Sequence, residues 1–268
     1  MGLTIHWTFK AVGTRQKARA IVDGLRHAAM DLPFKEVDEV IELAGAACKL
    51  SKYDKEDPLR DALKDGRRWI EYDIQKIATG RRIKRIEFYP THLITFVTHP
   101  GEGCEPASFG LCRYPSFVED SPGRRISTEL GRAWHWSQCC KTQYASNPKY
   151  GGVENFLGCH LNVVALLDKA VASGIGVKVS DEGNFWESRS VPALVQELGE
   201  MNEVMAGLYG SLQAIAGPGL QSEIRKFPNF EKLEAAGFDK PQLALLRQLF
   251  LTTGAKFDKI KPPSEEGT

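Results

Sequence analysis

The chain has 268 residues, 42% hydrophobic and 26% charged, a composition typical of a globular protein with a substantial core. Its formal net charge of +1 argues against a whole-surface attraction to nucleic acid or membranes. No apolar run approaches the roughly 20 residues that span a bilayer, and the first residues lack the pattern of a secretory signal. We therefore expect a soluble, cytoplasmic protein whose six cysteines are mostly free thiols.

In chain order, the spacing of apolar side chains divides the sequence into strands and helices. Residues 3–10 alternate apolar and polar side chains, as a half-buried strand does. Residues 153–173 carry apolar side chains at helical spacing, and Gly174 is a natural stop. By the same criteria we predict helices at about 14–31, 58–78 and 190–215, strands at about 36–44, 81–100, 131–145 and 176–180, and short helices from 220 to 256.

This succession of elements predicts an α+β fold, in which a mixed or antiparallel sheet is covered by helices and followed by a helical C-terminal segment. We expect a single domain over residues 1–256 and a disordered tail over residues 257–268. Residues 100–124 are rich in Gly, Pro, Cys and aromatic side chains, which favours an ordered loop or hairpin packed on the core.

Two segments, 3–45 and 131–188, share a strand–helix–strand pattern. Each has a His-Trp pair on its first strand, at His6 and His135, and an Asp-Glu pair at or after its second strand. The spacing between the two pairs differs in the two segments, so the similarity is weak. A duplication would bring two histidines and two acidic pairs near one central sheet.

The second His-Trp strand has the densest set of reactive side chains. Because strand side chains alternate between faces, one polar face would contain His135, Ser137, Cys139 and Lys141. In an enzyme, His135 would be a general base or ligand and Cys139 a nucleophile or ligand. Supporting acid, base or ligand groups would be Asp181, Glu182 and His6. The alternative is a strand that simply exposes one polar face to solvent.

Zinc or another divalent metal is a weaker hypothesis. On a straight strand the Cα atoms of His135 and Cys139 are roughly 13 Å apart, whereas zinc–ligand bonds are only about 2.0–2.3 Å. Further ligands would have to come from Cys104, Cys112, Cys159 or His160. Cys159 and His160 lie within a predicted helix, where burial in the core is the simpler interpretation.

The function predicted from these residues is that of a hydrolase-like enzyme with a His/Cys/acidic pocket and a small-molecule or peptide substrate. The alternative is a non-enzymatic protein-interaction module that uses the aromatic loop 100–117 and a basic helix at 60–85. The basic residues of that helix alternate with acids, which favours a solvated face with internal ion pairs over a nucleic-acid site. No dinucleotide-binding or P-loop pattern occurs.

Overall fold

A computed structural model of the protein describes residues 2–49, 60–77, 80–120, 123–216, 219, 221–238 and 240–241. These residues form eleven strands: β1 Thr4–Ala11, β2 Glu36–Val37, β3 Ile41–Ala44, β4 Arg68–Ile77, β5 Gly80–Phe88, β6 His92–His99, β7 Ala107–Arg113, β8 Phe117–Glu119, β9 Arg125–Ser127, β10 Trp134–Lys141 and β11 Gly176–Asp181. They also form six α-helices: α1 Arg15–Met30, α2 Arg60–Gly66, α3 Gly152–Ala172, α4 Phe185–Ser188, α5 Val191–Ala216 and α6 Phe230–Phe238. The predicted tail 257–268 lies outside the described residues.

Seven of the strands form one sheet in the order β11-β1-β10-β7-β6-β2, with β3 also paired to β6. Neighbouring strands of this sheet run antiparallel. Helices α5 and α6 pack together in the C-terminal part of the chain. The predicted α+β class, with an antiparallel sheet and a helical C-terminal segment, is confirmed. The single domain over 1–256 stays a prediction.

The two His-Trp strands are direct neighbours at the centre of the β11-β1-β10 region. Thr8 lies opposite Ser137, His6 opposite Cys139 and Lys10 opposite His135. A local two-fold axis through the Thr8–Ser137 pair relates strand β1 to strand β10. This axis places the His-Trp pair of β1 and the His-Trp pair of β10 at equivalent positions. The second strands of the two segments, β2 and β11, lie at opposite ends of the sheet, which separates the two acidic pairs.

One face of the sheet carries the core. Alternate residues of β1 are buried there, and the rings of Trp7 and Phe109 stack at a centroid distance of 5.0 Å. Burying a large apolar side chain contributes about 1.5–3 kcal/mol, and a well-placed aromatic pair adds about 0.5–1.5 kcal/mol. Helices α1 and α3 contact each other and contribute to this core; the buried residues of α1 are Ala18, Val22, Leu25 and Ala29.

The opposite face is only half covered. Strand β7 is buried on both faces, and α2 packs over it. The hydroxyl of Tyr114 donates to the carbonyl of Gly66 at 2.9 Å, and its ring meets Phe88 edge-on. In contrast, every second residue of β1 and β11 is exposed. The cover therefore ends at β10 and leaves the β10-β1-β11 part of this face open.

The prediction of a helix over 58–78, and of a basic helix over 60–85, is wrong. Helix α2 ends at Gly66, and the β4–β5 hairpin follows. Ile70 lies opposite Ile86 across this hairpin. The guanidinium groups of Arg67 and Arg85 both lie over the Trp69 ring, at 5.1 and 4.3 Å from its centroid. Contacts between the two strands outweighed the local helical propensity, as tertiary context commonly does.

Part of the aromatic loop 100–117 is a strand. Residues 107–113 form β7, and both Phe109 and Tyr114 are buried in the core. Within this segment Phe117 is the aromatic side chain that stays exposed, at 48%. The predicted aromatic contact surface is therefore much smaller than the sequence suggested.

Candidate functional site

The open part of the sheet forms a shallow concave surface, here called the sheet groove. It consists of two adjoining depressions of about 400 and 390 Å³ on β1, β10 and β11. Both depressions are lined by Thr8, Ser137 and Lys178, so they form one continuous surface. The first extends toward His135 and Arg68, and the second toward His6 and Cys139.

One end of the sheet groove is basic. Lys10, Arg68 and Lys178 line it, and none of them forms an ion pair with a carboxylate in the part of the chain that the structure describes. The guanidinium of Arg68 donates instead to backbone carbonyls, including that of Ser137 at 3.3 Å. Three cations thus converge on one depression, and its lining contains no carboxylate among the residues that the structure describes.

His135 lies at this basic end, opposite Lys10 and half-buried. Burial lowers its pKa below the ordinary 6.5, and the positive charges of Lys10, Arg68 and Arg113 lower it further. The imidazole is therefore neutral at neutral pH, which leaves one ring nitrogen able to accept a proton or a hydrogen bond.

The other end of the sheet groove holds a thiol and an imidazole. His6 and Cys139 are directly opposite across β1 and β10, a position in which Cβ atoms are about 4.5–5.5 Å apart. Burial raises the pKa of the Cys139 thiol, and the nearby carboxylates of Glu105, Asp65 and Glu182 raise it further. Since the thiolate is the nucleophile, the free protein holds Cys139 in its less reactive form.

Asp181 does not belong to the sheet groove, because its side chain lies on the core side of β11 and is fully buried. Its carboxylate accepts hydrogen bonds from four donors, namely His160 Nε2 at 3.1 Å and the backbone amides of Gly183, Phe185 and Trp186 at 2.8, 2.9 and 2.9 Å. Burial alone would raise the pKa of Asp181, but these donors outweigh it and the pKa is lowered. Asp181 therefore closes the turn after β11 as a buried carboxylate.

Thr142 completes a buried line of side chains with His160 and Asp181. Thr142 Oγ1 lies 2.9 Å from His160 Nδ1. Because an ionised carboxylate only accepts hydrogen bonds, Nε2 of His160 donates to Asp181, and in the neutral ring Nδ1 then accepts from the threonine hydroxyl. This order of hydroxyl, imidazole and carboxylate resembles a hydrolytic triad, but Thr142 and the side chains of His160 and Asp181 are 0% exposed, so no substrate reaches them.

Glu182 lies outside both the sheet groove and the buried line of side chains, directly after the last residue of β11. Its carboxylate accepts a hydrogen bond from the backbone amide of Thr4 at 3.0 Å, which ties the end of β11 to the start of β1. Of the five predicted site residues, the structure brings His6, His135 and Cys139 to the sheet groove. It places Asp181 on the opposite face and Glu182 at the exposed strand end.

Three groove residues were missed by sequence reasoning. The signal for Lys10 was present, because it shares strand parity with His6. Lys178 and Arg68 join them only through the pairing of β11 with β1 and through the path of the hairpin.

No metal centre includes His135 or Cys139 among the residues with described positions. Three metal-ligating side chains converge once in that part of the chain, where atoms of Glu36, Asp38 and His99 lie within 4.8 Å of one another. This cluster is at the β2 end of the sheet, five strand positions from β11. Exposed acidic groups commonly gather without an ion, so its geometry alone assigns no metal.

Comparisons with protein-family models, curated proteins and solved structures gave no match. No helix within the described ranges is both long enough and apolar enough to cross a membrane. The class that the fold and site define is thus an α+β protein with a half-open antiparallel sheet and a polar groove. The cytoplasmic location stays a prediction.

Proposed function

We propose that the sheet groove binds an organic ligand that carries an anionic group, carboxylate or phosphate. The observation that carries this proposal is the convergence of Lys10, Arg68 and Lys178 on one depression without a carboxylate partner among the described residues. Like charges held together raise the energy of the empty site, and an anion among them relieves that repulsion. Concave surfaces focus this potential and attract ligands of opposite charge.

The strength of such an interaction follows from Coulomb's law. At a separation of about 4 Å and an effective dielectric constant of about 20, two unit charges attract by about 4 kcal/mol before desolvation. Charge-assisted hydrogen bonds from the arginine fork would add orientation, since a guanidinium matches the geometry of carboxylate and phosphate. Desolvation and the loss of motion offset much of this gain.

The second depression supports a ligand longer than a simple anion. It continues from Thr8 and Ser137 toward His6 and Cys139 and is lined by uncharged polar groups as well as Lys178. The neutral part of an organic ligand would lie there, with its anionic group at the His135 end. His135, neutral and beside the bound anion, is placed to act as a proton acceptor.

Binding of an anion has a measurable effect on His135. Because cations help to lower the pKa of His135, neutralising them with an anion raises that pKa. NMR titration of the histidine ring protons with inorganic phosphate, and then with organic phosphates and carboxylates, would measure this shift. In the double variant Lys10→Ala/Lys178→Ala the affinity should fall by about tenfold or more, since tenfold corresponds to only about 1.4 kcal/mol.

A matched control is Lys149→Ala, which removes a lysine that packs over the Tyr150 ring and does not line the sheet groove. This variant should bind anions as the native protein does. Equal affinity of the native protein and the groove double variant would show that the anion binds elsewhere and would refute the proposal.

A thiol hydrolase is the second candidate, favoured by the placement of His6 directly opposite Cys139. His6 would take the thiol proton as the sulfur attacks an ester or amide carbonyl and would return it to the departing alcohol or amine. Water would then hydrolyse the thioester, releasing a carboxylic acid and the free thiol. Activated esters with an anionic substituent are suitable substrates. Turnover abolished by both Cys139→Ser and His6→Asn supports this candidate, and turnover unchanged by Cys139→Ser excludes the thiol as nucleophile.

A further inference from the structure

Three thiols meet on the core side of the sheet, where the loop of residues 100–106 crosses the end of β10. The sulfur of Cys104 lies 3.7 Å from that of Cys140 and also contacts the thiol of Cys159. Cys140 and Cys159 are buried, whereas Cys104 is half-buried and is the member nearest to solvent. This thiol cluster is separate from Cys139, whose side chain lies on the groove face of the same strand.

Backbone and side-chain hydrogen bonds hold the loop against its neighbours. The amide of Glu105 donates to the carbonyl of Lys141 at 3.2 Å, and Asn155 Nδ2 donates to the carbonyl of Glu102 at 2.9 Å. The thiol of Cys140 donates to the carbonyl of Glu105 at 3.2 Å. Cys104 is thus kept in contact with Cys140 by contacts on both sides of it in the chain.

We propose that Cys104 and Cys140 form an oxidative modification site, in which a peroxide converts the two thiols into a disulfide. The sulfur of Cys104 attacks one peroxide oxygen and the O–O bond breaks. Water departs as the leaving group, and Cys104 becomes a sulfenic acid. The sulfur of Cys140 then attacks the sulfenic sulfur, the S–O bond breaks, and a second water leaves with the thiol proton. The two thiols are oxidised by two electrons in total, and one peroxide is reduced to two waters.

Only a small movement of the two sulfurs is needed to form the disulfide. A disulfide bond is about 2.05 Å long, so the two sulfurs must approach by roughly 1.7 Å from their separation of 3.7 Å. Cys104 can supply this movement because it lies in a loop outside the strands of the sheet. Cys140 is fixed in the central sheet, so the loop moves toward the strand.

The surroundings of the thiols also determine the rate at which peroxide oxidises them. The hydrogen bond with Cys140 and burial raise the pKa of Cys104. Little thiolate is therefore present at neutral pH, and oxidation is slow there and faster as the pH rises. The pair responds to sustained exposure to peroxide, in contrast to a peroxidase thiol with a lowered pKa.

Oxidation of the full-length protein with hydrogen peroxide, followed by alkylation of the remaining thiols and peptide mass mapping, tests the proposal. We expect the loss of two alkylatable thiols and a peptide crosslinked between Cys104 and Cys140, both reversed by a dithiol reductant. Cys104→Ser should abolish the crosslink, and Cys159→Ser should leave it in place. The control Cys48→Ser removes a buried thiol outside the cluster and should change nothing.

Mapping in the native protein does not depend on any variant folding correctly. Full retention of the six thiols at peroxide concentrations that oxidise the exposed Met30 would overturn the proposal. A crosslink between any other pair, including Cys104 with Cys159, would overturn it as well.

Discussion

Replacement of Asp181 by Asn tests whether this acid is a structural residue or part of a reactive site. The carboxylate accepts one hydrogen bond on Oδ1 and three on Oδ2. An asparagine amide has a single acceptor oxygen. Whichever way the amide is oriented, its NH₂ group faces at least one of the backbone amides of Gly183, Phe185 and Trp186.

The expected loss of stability is large for a substitution of equal size. A hydrogen bond to a charged group contributes about 1.5–3 kcal/mol, and a buried donor left without an acceptor costs about 1–3 kcal/mol. We therefore expect Asp181→Asn to lower the free energy of unfolding by about 3 kcal/mol. With an m-value of about 3 kcal/mol/M in urea for a chain of this size, the unfolding midpoint would fall by about 1 M.

Urea unfolding at pH 7, followed by circular dichroism, measures this change. The matched control is Asp168→Asn, which removes a half-exposed carboxylate paired with Arg189 at 2.8 Å and should cost less than about 1 kcal/mol. Midpoints for Asp181→Asn and Asp168→Asn that agree within error would refute the structural role and return Asp181 to the list of reactive groups.

Three further predictions concern pH and packing. Glu42 has a pKa of about 2 instead of 4.5, owing first to the hydrogen bond with Arg15 and also to those with His92 and Arg19. The lower pKa corresponds to about 3.4 kcal/mol of folding stability, which solvent screening at the exposed Arg15 reduces to about 1–2 kcal/mol. That stability is present above pH 4.5 and lost toward pH 2, so urea unfolding of Glu42→Gln should differ from the native protein at pH 5 and converge with it near pH 2; a constant difference would contradict the assignment. His135 has a folded pKa below 6.5, so native stability should decrease as the pH falls below 6.5, and His135→Asn should remove this part of the slope; an unchanged slope would contradict a lowered pKa. Gly110→Ala should lower the melting temperature because its Cβ would lie 2.5 Å from the carbonyl oxygen of Ile94, whereas Gly158→Ala, in open space on α3, should raise it slightly; equal effects would refute this packing argument.

Local patterns were sufficient for much of the fold. Alternation over residues 3–10 predicted β1, and helical spacing over 153–173 predicted α3, which ends just before Gly174 as expected. Both patterns are strong because these elements bury one face or one stripe against a large core. The pattern at 58–78 was ambiguous, since a helix and a hairpin both pair acidic with basic side chains, and the contacts that decide between them come from distant residues.

The candidate site was only partly accessible to the same reasoning. Strand parity correctly grouped His135 with Ser137 and Cys139, because alternation depends on the backbone alone. Applied to β11, the same rule groups Asp181 with Val177 and Val179 on the partly buried core face. That signal was available, yet acidic residues at a strand end suggested a reactive site more strongly than a buried cap.

The sequence by itself determined the α+β class, the two His-Trp strands and the set of side chains on each strand face, because these follow from local spacing and backbone geometry. Only the tertiary structure decided that the two strands are neighbours, that His6 lies opposite Cys139, and that Lys10, Arg68 and Lys178 line the same depression as His135. It also decided that three cysteines distant in sequence meet behind the sheet. These outcomes depend on strand order, register and the path of the β4–β5 hairpin, which are set by long-range packing that no local pattern encodes.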